Sequence, residues 1–249
     1  MNTTEINKHL TEILTKIFKN PLIFVSEADV HKLVMNELMK IDELNPDNLV
    51  DTACTIGSSG NGVSSEKYKT MLMHSEYGHQ NLPKARSDIV ILNKKDVAEI
   101  DNPLDLNKKE NEGENRWLTP DYIFEFGTEK SANSIKVFKT HLKNDLKKIS
   151  KSKKMGYIIH IQRNYYVSEG KRQENNIAKY EEYAKAFMGE IKDYSKDKIK
   201  IVIAIIDVGG TVRKVYGKVR LITNPFGSNP KFERIGLDSV QTEISKLLK

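Results

Sequence analysis

The chain has 249 residues, which is enough for one large α/β domain or for two small ones. Its formal net charge is +6 and its pI is about 9.1, because 40 Lys and Arg residues outnumber 34 Asp and Glu residues, and most of these cations are lysines. This basic balance favours a polyanionic partner, either nucleic acid or an anionic membrane surface, although a solvated lysine-rich surface explains it equally well. The single cysteine, Cys54, excludes an internal disulfide and a cysteine-ligated zinc site.

Short apolar segments argue against a membrane protein. The first residues lack the apolar run of a signal peptide. The longest uninterrupted apolar stretch, residues 201–206, is far too short to span a bilayer. We therefore expect a cytoplasmic protein without a membrane partner, and the lone cysteine fits a reducing compartment.

Two helices are predicted near the N-terminus. Residues 5–19 place apolar side chains on one helical face, and Pro21 ends this pattern. Ser26 is typical of a helix N-cap with Asp29 at the third helical position, so a second helix should follow it. Residues 43–66 have a turn-like composition, and the glycine-rich part at 57–62 predicts a mobile loop.

The pattern then changes to the period of two that is typical of strands. Strands are predicted at residues 69–77, 87–93, 121–127, 156–162, 198–208 and 212–222, and further helices at residues 131–151, 172–194 and about 236–248. The long polar connection between them, about residues 94–118, indicates an exposed insertion. Gly209 and Gly210 predict a hairpin turn, although residues 207–211 also resemble the phosphate loop of sugar kinases.

This order of elements predicts a single three-layer α/β domain, in which a mixed central sheet is flanked by helices. Its N-terminal part, about residues 1–45, is helical. Strands 87–93 and 121–127 should be antiparallel neighbours, as in a meander. The helix at 131–151 should then cross over to strand 156–162.

Two acidic residues in apolar strands are the first candidates for chemistry. Asp88 begins a strand, and Glu125 lies inside another between two phenylalanines, where an unpaired carboxylate is costly. If the two strands pair, both carboxylates converge on one point and suit a hard cation such as Mg²⁺, which activates water and neutralises phosphate charge. The alternative is a strand-end Asp88 and a Glu125 that is satisfied by a buried Lys or Arg.

The segments 86–92 and 123–127, followed by a helix and a further strand, resemble the core of the PD-(D/E)xK nuclease superfamily. The resemblance covers roughly residues 22–192 and implies a restriction-endonuclease-like fold. It further implies metal-dependent hydrolysis of DNA, of endonuclease type, in which Asp88 and Glu125 hold Mg²⁺ or Mn²⁺. In this family the first helix often donates another glutamate, and Glu27 matches that position.

The sequence departs from this family at one position. The family has a lysine two residues after the glutamate, where this chain has Gly127. We expect Lys130 to supply the missing positive charge, and Lys136 is the second candidate. If neither does, the chain is a catalytically inactive module on the same fold that binds nucleic acid or protein.

Three further features bear on the site. Asp121 follows Pro120, but it lies on the same strand as Glu125, so Asp88 is the better partner. Glu76 is another acid near the predicted sheet that would help to hold a metal. Gln162 and Tyr166 match a Gln-x-x-x-Tyr spacing that some exonuclease members of the superfamily have.

Contacts to nucleic acid are expected from a lysine stripe on the helix at 131–151. The stripe comprises Lys136, Lys139, Lys143 and Lys147, continues through Lys151, Lys153 and Lys154, and is followed by Arg163. Such a basic edge binds phosphates with little sequence preference, and a solvated lysine face is the alternative. The expected partner is double-stranded DNA, and the sequence does not decide whether the chain forms a homodimer.

Overall fold

The computed structural model describes residues 1–55, 66–79, 82–101, 118–128, 135–165, 197–211, 214–227 and 230–249, together with residues 182, 185, 187–189, 191 and 194. The helices are α1 (Thr3–Lys19), α2 (Glu27–Leu38), α3 (Lys94–Ala98), α4 (Ile135–Ile149) and α5 (Val240–Leu248). The strands are β1 (Val50–Thr55), β2 (Lys67–Thr70), β3 (Met73–His79), β4 (Leu82–Ile91), β5 (Tyr122–Gly127), β6 (Met155–Tyr165), β7 (Ile199–Thr211), β8 (Lys214–Thr223) and β9 (Lys231–Ile235).

The central sheet has seven strands in the order β3-β4-β5-β6-β7-β8-β9, and β1 pairs with β2 in a separate two-stranded sheet. Strands β3, β4 and β5 are antiparallel neighbours, whereas β5, β6 and β7 run parallel. Strands β8 and β9 add two antiparallel pairings at the other end. The antiparallel meander and the crossover through α4 to a parallel strand are therefore confirmed.

Helices cover both faces of this sheet. On one face, the Tyr157 hydroxyl of β6 donates a hydrogen bond of 2.7 Å to the Asn7 side chain of α1. On the opposite face, Lys148 of α4 reaches Glu125 of β5. The predicted mixed α/β architecture, with a sheet between helices, is confirmed at this level.

The N-terminal helices form where the sequence predicts them. Helix α1 buries the apolar stripe that defined it, and it ends at Lys19, before Pro21. Helix α2 begins with the predicted capping box, in which the Ser26 hydroxyl accepts from the Asp29 N–H and the Asp29 carboxylate accepts from the Ser26 N–H. None of the helices in the described ranges is both long and apolar enough to cross a membrane.

Three local predictions were wrong, and strand pairing explains each. Residues 50–55 form β1 rather than a turn, because β2 pairs with them. The single strand expected at 69–77 is divided between β2 and β3, which belong to different sheets. Gly209 and Gly210 do not form the hairpin turn, because both are paired with β8 inside β7, and their backbone is not open for phosphate.

Some predicted segments lie outside the described residues. These are the loop at 57–62, most of the polar insertion, and most of the helix at 172–194. The first residues of the insertion form α3, and Phe187 and Ile191 of the predicted helix are helical and buried.

Candidate active site

The carboxylates of Asp88 and Glu125 come together where β4 and β5 separate. The antiparallel register pairs Ile89 with Phe124, and Asp88 and Glu125 are the next residues along the two strands, just beyond this last paired position. At that point the Asp88 carboxylate accepts a hydrogen bond of 2.7 Å from the Phe126 N–H. Both candidate acids of the sequence analysis are thus placed at one end of the β4–β5 pair.

Glu125 is buried and only partly satisfied. Its side chain is 1% exposed and forms an ion pair with Lys148 through Oε2, while Oε1 has no hydrogen-bond partner among the described residues. Burial, and then repulsion from Asp88, raise the pKa of Glu125 well above its usual range. Neighbouring carboxylates with an unsatisfied oxygen favour a bound cation, and oxygen ligands suit Mg²⁺.

Lys148, on the last turns of α4, supplies the positive charge beside these acids. Its ammonium contacts Glu125, lies 3.2 Å from Asp145 Oδ1, and donates to the Arg86 carbonyl at 3.1 Å. Burial acts to lower the pKa of Lys148, but Glu125 and Asp145 outweigh it, so the pKa is raised. The lysine therefore stays protonated and acts as a fixed cation.

Helix α2 and strand β3 add more ligand atoms around Asp88. One ligand atom each from His31, Glu76 and Asp88 lies within 4.8 Å of the others, and His31 Nε2 is 3.6 Å from Asp88 Oδ2. Glu76 has a φ of 51°, which is uncommon for a residue other than glycine. Burial, and then repulsion from Asp88, raise the pKa of Glu27, so Glu27 also belongs to this acidic group.

The space beside Gly127 is filled by the ring of His160. Gly127 is paired with His160 of β6, and a Cβ added to Gly127 would lie 2.5 Å from the His160 ring. Lys130, the expected replacement, lies outside the described residues, and Lys136 is exposed on the first turn of α4. Among the described residues, Lys148 is the lysine that reaches Glu125.

Arg163, which we expected to contact nucleic acid, has a structural role instead. Its side chain is buried, and its guanidinium donates to the carbonyls of Phe24 at 2.5 Å and Val25 at 3.2 Å. The guanidinium also stacks 4.1 Å from the centre of the Phe24 ring. Arg163 therefore anchors the segment before α2, and the phosphate contact assigned to it is corrected.

Asp121 and Gln162 also make structural contacts. Asp121 accepts from the Asn93 amide at 3.0 Å and pairs with Lys154 at 2.8 Å, at the opposite end of β5 from Gly127. The buried Gln162 amide donates to the Thr128 carbonyl at 2.9 Å. Tyr166, the second half of the expected Gln-x-x-x-Tyr pair, lies outside the described residues.

The lysine stripe on α4 divides into exposed and engaged side chains. Lys139 is half-buried, whereas the other three lysines of the stripe are exposed and form no ion pair with any described residue. Beyond the helix, Lys153 pairs with Asp96 and Lys154 with Asp121. Among the described lysines of the stripe, the exposed ones without an ion pair are therefore Lys136, Lys143 and Lys147 on α4 and Lys151 just after it.

The sequence analysis did not single out Lys148, His31 or His160 as site residues. One signal was available for α4, where His141 and Asp145 lie on the same face as the buried Phe138 and Leu142. Polar residues on an apolar helix face must find partners inside the protein. This signal indicates that α4 carries buried polar contacts, but it does not identify the strand that they reach.

Comparisons of the chain with protein-family models, with curated proteins and with solved structures found no match.

Proposed function

We propose that this chain is a metal-dependent DNA nuclease of restriction-endonuclease-like type, in which Asp88 and Glu125 hold Mg²⁺ or Mn²⁺. The observation that carries the proposal is the meeting of these two carboxylates beside Lys148, with Glu125 Oε1 left without a partner among the described residues. The succession of β4 with Asp88, β5 with Glu125, helix α4 and strand β6 also agrees with the core of that superfamily.

Lys148 takes the role that the family gives to the lysine after the glutamate. Its ammonium already contacts Glu125 and its raised pKa keeps it charged, so it stabilises negative charge that grows on the phosphate during attack. A permanently charged lysine does not act as the general base. Bound Mg²⁺ would supply a more acidic water and a Lewis acid for the phosphate.

Residues around Asp88 complete the acidic group. Glu27 and Glu76 offer further carboxylates for the metal or its waters, and His31 Nε2, 3.6 Å from Asp88 Oδ2, is a further possible ligand from α2. Mg²⁺ retains several waters and needs few protein ligands, so this set is sufficient.

The second candidate is a catalytically inactive binding module on the same fold. The Lys148–Glu125 ion pair favours it, because a buried lysine satisfies one oxygen of Glu125 without any metal. In that case the exposed lysines of α4 still bind nucleic acid, but no bond is cleaved.

Nicking of supercoiled plasmid DNA tests the two candidates. The nuclease predicts cleavage in Mg²⁺ or Mn²⁺ and none in EDTA, and Asp88→Asn and Glu125→Gln should each abolish it. Asp121→Asn is the matched control, because Asp121 is an equally buried acid beside β5 that pairs with a different lysine. Metal-dependent binding without cleavage would support the inactive module, and full cleavage by Asp88→Asn would exclude the proposed site.

A further inference from the structure

A second group of possible metal ligands lies between α4 and β6, on the face of the sheet where the His160 ring covers Gly127. His141 and Asp145 are four residues apart on α4 and share one face of the helix, and His160 faces them from β6. One ligand atom of each residue lies within 4.8 Å of the others. The site proposed for Mg²⁺ uses none of these three side chains.

The distances within this group match metal coordination. Nε2 of His141 lies 3.3 Å from Asp145 Oδ2, and Nε2 of His160 lies 3.4 Å from the same oxygen. Zinc binds imidazole nitrogen and carboxylate oxygen at about 2.0–2.1 Å, so neighbouring ligands of a tetrahedral site are about 3.3–3.4 Å apart. The same distances are long for charge-assisted hydrogen bonds, which measure about 2.7–2.9 Å.

His160 lacks the contacts that a buried imidazole needs. The side chain is fully buried, and its Nδ1 has no hydrogen-bond partner among the described residues. Among the described residues, its one polar contact is the long one of 3.4 Å from Nε2 to Asp145. A metal ion on Nε2 would replace that long contact with a strong bond, whereas Nδ1 lies on the other side of the ring and takes no part in the site.

Charge and access are compatible with a dication at this place. Lys148 occupies the other oxygen of Asp145, Oδ1, and leaves Oδ2 to the two histidines. The His141 side chain is 31% exposed, which provides an entry path and a position for water as the fourth ligand. The present hydrogen bond of 3.2 Å from His141 to the Phe126 carbonyl would be replaced by coordination.

We propose that His141, Asp145 and His160 form a site for a first-row transition-metal dication, best suited to Zn²⁺, that joins α4 to β6. Two imidazoles and one carboxylate are a borderline-soft ligand set that Zn²⁺ prefers and that Mg²⁺ does not. The ligands of this site are different side chains from those of the acidic group at Asp88, although Lys148 contacts both Asp145 and Glu125. The site does not require that the chain cleave DNA.

The test uses the full chain after metals have been removed by chelation. Zn²⁺ binding is measured by calorimetry, and Co²⁺ binding is measured by absorption. Both titrations contain excess Mg²⁺, which fills the acidic site. We expect one Zn²⁺ per chain and the intense visible bands of tetrahedral Co²⁺. His141→Ala should weaken Zn²⁺ binding by at least about tenfold. The half-exposed position of His141 makes this variant likelier to fold than a change at buried His160, and circular dichroism checks that it does.

His9→Ala is the matched control, because His9 is also a helical histidine next to a carboxylate, within the separate group of His9, Glu12 and Glu37. This control and Asp88→Asn should both retain Zn²⁺ binding. If the wild-type protein gives only the weak bands of octahedral Co²⁺, that result alone overturns the proposal. Zn²⁺ binding that survives His141→Ala, or that is lost in His9→Ala or Asp88→Asn, would overturn it as well, whatever the outcome for DNA cleavage.

Discussion

The His160 ring occupies the space in front of Gly127, where an added Cβ would lie 2.5 Å from ring atom Cε1. The two residues are paired between the parallel strands β5 and β6, so neither can move away without disturbing the centre of the sheet. Gly127 does not have the positive φ that would by itself require glycine. The glycine is therefore explained by space, and the histidine explains why a lysine does not stand at this position.

Replacing Gly127 should destabilise the protein through this contact. Gly127→Ala places a methyl group against His160 and should lower the free energy of unfolding by about 1–3 kcal/mol. Gly189→Ala is the control, because nothing lies within 4 Å of its added Cβ, and it should be neutral or stabilising. In urea denaturation, the double variant Gly127→Ala/His160→Ala should lose less free energy of unfolding than the two single variants lose together. If the losses in the two single variants add up to the loss in the double variant, the added methyl group does not clash with the His160 ring.

Lys148 should be required for cleavage but not for DNA binding, and melting temperatures must be compared because Lys148 also pairs with the buried Glu125 and Asp145. Lys148→Met removes a charge that acts mainly on the transition state, so kcat should fall by about 100-fold or more while the affinity for DNA is retained. Lys148→Arg should restore part of the rate, because it keeps the charge. Lys153→Met is the control, since Lys153 pairs with Asp96 away from Glu125.

The same assay decides between Lys148 and Lys130. Lys130→Met should leave kcat largely unchanged if Lys148 supplies the charge near Glu125. Loss of cleavage in Lys130→Met, together with normal cleavage in Lys148→Met, would return the role to Lys130 as the sequence first indicated.

Parts of the fold that depend on local patterns could be predicted from the sequence. The apolar period of α1, the capping box of α2 and the largely apolar run of β5 each lie within a few adjacent residues. The pairing of β4 with β5 was predicted because they are successive strands of a meander, although a long polar insertion separates them in the sequence. These local features were enough to place Asp88 and Glu125 side by side.

The remaining parts depend on contacts between distant segments. Lys148 and Glu125 are separated by 23 positions, and only the packing of α4 on β5 brings them together. Gly209 has the local preference of a turn residue, but its pairing with Tyr216 in β8 keeps it in a strand. Strand β9 was not predicted, because this edge strand is largely exposed and lacks a clear apolar alternation.

The exposed lysines of α4 should determine how DNA binding responds to salt. Changing Lys136, Lys143 and Lys147 together to Gln should weaken binding to duplex DNA and reduce the slope of log K against log salt by about three. Three exposed lysines of α1, on the other side of the sheet, provide the control: Lys8, Lys16 and Lys19. Equal losses in both triple variants would indicate a general charge effect rather than a binding surface.

The capping box of α2 should make stability sensitive to acid. The Asp29 carboxylate accepts from the N–H groups of Val25 and Ser26, both at 2.9 Å, and these hydrogen bonds lower the pKa of Asp29. A carboxyl with a lowered pKa in the folded state stabilises that state above its unfolded value of about 3.9. This contribution is lost as the pH falls through the folded pKa.

Asp29→Asn should therefore lower the melting temperature at neutral pH, and the difference from wild type should shrink below about pH 4. The control is Asp47→Asn, an exposed aspartate outside the helices, which should change the melting temperature little. Because α2 carries Glu27 and His31, Asp29→Asn should also reduce cleavage at temperatures well below its own melting point. A difference in melting temperature that stays constant from neutral pH to pH 3 would show that the Asp29 charge does not hold the start of α2.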